Sequence, residues 1–169
     1  MIYAANYPST QIESMQPHKI KAYFAAPLFN DRERLFNEFV AGKLSTNVDV
    51  FLPQRDGSLI VNMIEAGVSH AVAEHRVFEQ DRKAMIASDL LIAILDGGHI
   101  DEGVAFEIGY MCALGRPCVG LQTDVRRALP FGNNPMIAQG LYEILADVDS
   151  LVAWIAKFAE RYRLSSLRA

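Results

Sequence analysis

The sequence predicts a doubly wound α/β domain with a mainly parallel, five-stranded sheet and helices on both faces. Short apolar runs alternate with stretches of helical periodicity, which is the pattern of βαβ units. One run, Leu90–Leu95 (LLIAIL), is apolar throughout, as a central parallel strand covered on both faces requires. The 169 residues are 51% hydrophobic and 21% charged, enough apolar mass for one substantial core.

Residues 1–18 carry two prolines and no sustained period, and read as a flexible extension or an oligomer arm. Residues 19–169 then form a single domain. Lys19–Ala26 is a strand that ends at Pro27, because proline cannot donate to a ladder. Asn30-Asp31-Arg32-Glu33 has the form of a capping box, and Leu35, Phe36, Phe39, Val40 and Leu44 follow at helical spacing to about Ser45. Val48–Leu52 is the second strand, and Pro53-Gln54-Arg55-Asp56-Gly57 closes it as a turn. A stretch read as polar and glycine-containing leads to a helix over about Ser69–Ala87. After the Leu90–Leu95 strand comes a loop, a helix over Glu102–Leu114 stopped by Gly115, and a strand at Pro117–Leu121. A loop of about 15 residues precedes the last strand, Gly140–Leu145, and Asp147 caps a final helix to about Arg161.

Composition removes several classes of function. The formal charge of −4 and the lack of a long basic stretch disfavour a nucleic-acid partner. No apolar run approaches the roughly 20 residues that span a bilayer, and residues 1–19 lack a secretory signal, so no membrane association and a cytoplasmic location are expected. Cys112 and Cys118 form neither a disulfide framework nor a metal knuckle. His70, His75 and His99 lack metal-ligand spacing, with His75 and Glu79 read as a surface pair. No G-x-G-x-x-G or Walker motif is present, so neither metal nor cofactor is expected.

In a doubly wound sheet the ligand crevice lies outside the carboxyl ends of the strands. This gathers Tyr23–Asn30, Pro53–Gly57, Asp96–Glu107 and the loop around Asn134, with several carboxylates among them. Glu107 shares a helical stripe with Val104, Ile108 and Met111, so its carboxylate points toward the sheet, where burial is costly and the helix dipole compensates in part. Such an oriented carboxylate is a good nucleophile at an acetal-like carbon; a Glu reaching to solvent at the helix edge fits the pattern equally. Asp101 reads as a helix cap or a site carboxylate. Asp81 reads as part of a solvated helix face or of the site. Tyr23 either fills the sheet face or holds a carboxylate through its hydroxyl. Gln54, Arg55 and Asp56 form a turn, yet all three offer hydrogen bonds to a heterocycle.

These residues carry a resemblance. The segments Ala22-Tyr23-Phe24-Ala25-Ala26-Pro27-Leu28-Phe29, Asp81, Asp101-Glu102-Gly103-Val104-Ala105-Phe106-Glu107-Ile108-Gly109-Tyr110 and Asn134-Pro135-Met136-Ile137-Ala138-Gln139-Gly140 resemble the nucleoside 2-deoxyribosyltransferases over roughly residues 19–145. The intervals of 26 residues from Asp81 to Glu107 and 6 from Asp101 to Glu107 agree with that family.

The resemblance implies a flavodoxin-like domain that exchanges the base of a 2′-deoxynucleoside. Glu107 matches the nucleophile, Tyr23 the residue that orients it, and Asp81 and Asp101 the carboxylates that hold the sugar and handle the proton. Asn134 and Met136 match a segment that completes an adjacent subunit's site, implying a homo-oligomer with shared active sites. Phe29, Gln54, Arg55, Asp56 and Gly103 are the remaining substrate-binding candidates. The partners implied are a deoxynucleoside and a free nucleobase. Some family members end in a tyrosine whose carboxylate enters the neighbour's site; Ser165-Ser166-Leu167-Arg168-Ala169 does not match that feature. Hydrolysis of deoxynucleosides or their 5′-monophosphates, and non-catalytic nucleoside binding, are the alternatives. Asp101 stands where a serine serves the phosphate in the monophosphate N-glycosidases, which favours the nucleoside.

Overall fold

The computed structural model describes residues 19–127 and 129–166, so the expected extension at 1–18 lies outside the described residues. Five strands form one sheet: β1 (Lys21–Ala25), β2 (Asp49–Phe51), β3 (Leu90–Ile94), β4 (Cys118–Leu121) and β5 (Glu143–Leu145). Their order is β2-β1-β3-β4-β5, and every pair is parallel. The chain therefore reverses its direction of travel across the sheet between β1 and β3. That is the switch point where such folds leave a crevice.

The helices are α1 (Asp31–Leu44), α2 (Pro53–Asp56), α3 (Ile60–Glu65), α4 (His70–Ala87), α5 (Glu102–Ala113), α6 (Pro135–Gly140) and α7 (Val148–Ser166). The capping box at α1 is formed in full. Asn30 Oδ1 accepts from the Glu33 N–H at 3.1 Å, and Glu33 Oε2 accepts from the Asn30 N–H at 3.2 Å. Gly115, at φ +67°, ends α5 in the left-handed conformation that glycine tolerates best. Asp147 Oδ1 accepts from the Ser150 N–H at 2.8 Å, securing the start of α7.

Alternation along β1 sorts its side chains into two cores. Ala22 and Phe24 pack with Val40, Ala41 and Leu44 of α1 and with Leu151 and Ile155 of α7. Tyr23 and Ala25 pack on the other face with Met85 of α4 and Val104, Ile108 and Met111 of α5. So α1 and α7 cover one side of the sheet, and α4 and α5 the other. At Gly120 of β4 a Cβ would lie 2.7 Å from a Leu95 methyl, so glycine permits the close packing there.

The structure corrects the sequence reading at four places. The expected polar connection before α4 contains α3, whose Ile60, Val61 and Ile64 are apolar. The loop before β5 contains α6, opened by Asn134, whose Oδ1 accepts from the Met136 N–H at 2.9 Å. The turn after β2 is a single helical turn with Pro53 at its start. Glu79 binds not His75 but the Arg82 guanidinium, at 2.8 and 3.1 Å, because the planar fork meets both carboxylate oxygens. The histidine–glutamate pair at this spacing is His70 with Glu74. No helix among the described residues is long and apolar enough to cross a membrane.

Candidate active site

A cavity of about 470 Å³ opens at the carboxyl ends of β1 and β2, within the usual range of small-molecule sites. Glu107 and Asp81 enter it from α5 and α4, and Asp101 from the residue that caps α5. Phe29 and Gly103 line it too.

Glu107 sits in the second turn of α5, one turn from the positive end of the helix dipole. Tyr23, fully buried on β1, donates its hydroxyl to Glu107 Oε1 at 2.6 Å, a charge-assisted length when the carboxylate is ionised. Phe51 of β2 stacks on the Tyr23 ring at 5.7 Å and holds it in place. Burial and the Glu107 carboxylate keep the Tyr23 hydroxyl protonated and donating.

Burial pushes the Glu107 carboxyl up to about 8; the Tyr23 bond opposes this, and the charges of Asp81 and Asp101 add to it. Asp81 is pushed up to about 6 by burial alone, and no ion pair forms on it among the described residues. The solvated-face reading of Asp81 does not hold. Asp101 serves both roles, since its Oδ1 accepts from the N–H groups of Gly103 (2.9 Å) and Val104 (3.1 Å) while the side chain lines the cavity. Three carboxyl groups in one cleft, two of them with raised pKa values near neutrality, form an arrangement suited to nucleophilic and acid–base work.

The other substrate-binding candidates lie elsewhere. Gln54 accepts from Asn37 Nδ2 at 3.0 Å and donates to the Arg34 carbonyl at 2.9 Å, tying α2 to α1. Arg55 and Asp56 bind one another at 2.8 and 2.9 Å and line a separate depression beside Asp49 and Ser88. Asn134 and Met136 line a second large cavity of about 480 Å³, bounded by Gly97, His99 and α5. In a single chain, then, Gln54, Arg55, Asp56, Asn134 and Met136 do not join the carboxylates.

Reading the sequence missed Arg34 of α1 and the wall formed by Ser58, Leu59, Ile60 and Val61. The apolar run Leu59-Ile60-Val61 was the available signal for that wall; Arg34 gave none. Among the described residues no three His, Cys, Asp or Glu side chains group as a metal site.

The Tyr23–Glu107 bond has a measurable consequence. Tyr23→Phe removes the donor that lowers the Glu107 pKa and leaves a buried oxygen unpaired. We expect a loss of roughly 10- to 100-fold in kcat. The alkaline limb of the pH–rate profile, which falls at the higher Glu107 pKa, should also move upward; an unchanged limb would mean the bond does not tune Glu107.

Residues 22–153 match the family model described as nucleoside 2-deoxyribosyltransferase. A nucleoside deoxyribosyltransferase of Limosilactobacillus fermentum is 28% identical over 127 residues, covering 72% of this chain and 76% of that protein. The structure of a conserved protein from Enterococcus faecalis V583 superposes with a TM-score of 0.68 at 26% identity, covering 83% of this chain and 99% of that one. A 2-deoxyribosyltransferase from Leishmania mexicana shares the fold, with a TM-score of 0.60 at 22% identity over 82% of this chain and 97% of that one. The chain belongs to the nucleoside 2-deoxyribosyltransferase family, and its activity is that of a nucleoside deoxyribosyltransferase or a related N-glycosidase.

Proposed function

We propose that the protein transfers the 2-deoxyribosyl group of a 2′-deoxynucleoside to an acceptor nucleobase, through a deoxyribosyl ester on Glu107 and with retention at C1′. The observation that carries this reading is the Tyr23 hydroxyl on Glu107 Oε1 at 2.6 Å, with Glu107 lining one cavity together with Asp81 and Asp101. Tyr23 occupies one oxygen and orients the other for attack.

In the first half-reaction a Glu107 oxygen bonds to C1′. The C1′–N bond breaks, and its electron pair leaves with the base, which takes a proton from Asp81. In the second, Asp81 removes a proton from the incoming base as its nitrogen attacks C1′ and Glu107 departs as carboxylate. Two inversions restore the configuration, as in retaining glycosidases, with a base in place of water. Asp81, with its pKa near 6, suits the proton-carrying role at neutral pH. Asp101 binds a sugar hydroxyl through the oxygen not used in capping α5. Its carboxylate occupies the helix N-terminus where a phosphate would otherwise bind, which supports a nucleoside over a 5′-monophosphate.

Asn134 and Met136 complete the site of a second copy, so the working unit is a homo-oligomer. Met136, 82% exposed, is free to make such a contact.

The test is chromatography of protein incubated with 2′-deoxyinosine plus adenine or cytosine, and with 2′-deoxyuridine plus adenine. A new deoxynucleoside, absent with Glu107→Ala, is the expected result. Free base without a new nucleoside would identify a hydrolase instead.

A further inference from the structure

We infer that Arg34 reads the nucleobase and selects 6-oxopurines, an inference that rests on the proposed reaction at Glu107. Arg34 lines the same cavity as the three carboxylates, and it is the only cationic side chain among the described lining residues. It comes from α1, which covers the opposite face of the sheet from α4 and α5. The cavity thus spans the rim of the sheet, with carboxylates contributed from one layer and a guanidinium from the other. In-line displacement at C1′ requires the base to leave on the side away from the attacking Glu107. A base bound for that reaction therefore projects across the cavity, away from α5 and toward the α1 layer.

The guanidinium is held for recognition rather than left mobile. Arg34 Nη1 donates to the Leu28 carbonyl at 2.9 Å, and Nη2 donates to Asp31 Oδ1 at 2.5 Å. Gln54 fixes the Arg34 backbone through its carbonyl at 2.9 Å. Of five N–H donors, two are used in these anchoring bonds and three are left for a ligand. Leu28, Phe29, Leu59 and Val61 supply apolar surface for the faces of a flat ring.

An arginine has donors and no acceptor, so it can pair only with acceptor edges. A 6-oxopurine presents O6 and N7 side by side, the pair that a guanidinium meets with two bonds, whereas adenine places an amino donor at the same position. A phosphate dianion suits the site less well. Asp31 already offsets part of the guanidinium charge, and three carboxyl groups share the cavity.

Steady-state kinetics on 2′-deoxyinosine and 2′-deoxyadenosine, with adenine and hypoxanthine respectively as acceptor, test this on the unmodified protein and on Arg34→Met and Arg34→Lys. We expect the unmodified protein to favour deoxyinosine. The deoxyinosine-to-deoxyadenosine ratio of kcat/KM should fall roughly 10- to 100-fold in Arg34→Met and less in Arg34→Lys. An unchanged ratio, with equal losses on both substrates or none, overturns the assignment.

Competition by free bases needs no variant that must fold. Hypoxanthine should compete at least about tenfold better than adenine or 7-deazahypoxanthine, which lacks the N7 acceptor. Equal competition also overturns the inference. A loss in Arg34→Met confined to 2′-deoxyinosine 5′-monophosphate would make Arg34 a phosphate ligand and overturn the base-reading role. Failure of the unmodified protein on every deoxynucleoside would instead refute the proposed reaction, and this inference with it.

Discussion

Glu107→Gln should abolish base release while making the protein harder to unfold. The amide keeps an acceptor for the Tyr23 hydroxyl but cannot attack C1′, so activity should fall by roughly 10³-fold or more. The stability gain follows from linkage. Glu107 has its folded pKa raised to about 8 from an ordinary 4.5. Between those values the folded state holds the proton more tightly than the unfolded state does. The contribution of Glu107 to stability is therefore greatest below about pH 4.5, falls as pH rises through the window, and levels off above about 8. The glutamine removes that loss. Near pH 7.5 the expected gain is about 4 kcal/mol, or roughly 8–16 °C in Tm for a chain of this size. Thermal unfolding of both proteins at pH 5 and pH 8 would check it, and a Tm difference that does not grow with pH would contradict the buried-carboxylate account.

The pH dependence of kcat/KM should identify the second carboxylate. Reaction requires Glu107 ionised and Asp81 protonated, whereas their pKa values of about 8 and about 6 favour the reverse distribution. The product of the two required forms rises up to about pH 6, stays level to about pH 8 and then falls. Asp81→Asn removes the proton donor, so activity should drop roughly 10²- to 10⁴-fold. The alkaline limb should vanish in that variant. Its remaining acid limb should then report Glu107 alone, at a pKa below 8 because the neighbouring negative charge is gone. Retention of both limbs in Asp81→Asn would assign the proton to another group.

What could be read from sequence, and what could not, divides along physical lines. β3 announced itself as an apolar run because both its faces are covered, and α1 because its cap is written in four consecutive residues. The helical stripe aimed Glu107 at the sheet, but pattern alone left a solvent-facing Glu107 and a core-filling Tyr23 open, and their roles came from the resemblance to the family. The short helices α3 and α6 were missed, since six residues are too few for periodicity to register and such helices depend on tertiary packing. The direction of Gln54, Arg55 and Asp56 was equally hidden. Their orientation comes from one turn begun at Pro53 and from Asn37, 17 residues earlier. Arg34 lies on the polar side of α1, where a charged residue is ordinary, and only the arrival of α4 and α5 across the sheet rim turns it into part of a cavity wall.

Tyr23 and Glu107 are 84 residues apart, and the strand pairing between them joins the first and third strands. Until β3 has docked beside β1, neither the hydroxyl nor the carboxylate has its partner, and neither is removed from water. The reactive centre is thus a product of non-local pairing rather than of local structure. Regain of catalysis on refolding therefore reports the pairing of β1 with β3 and the docking of α5 on it.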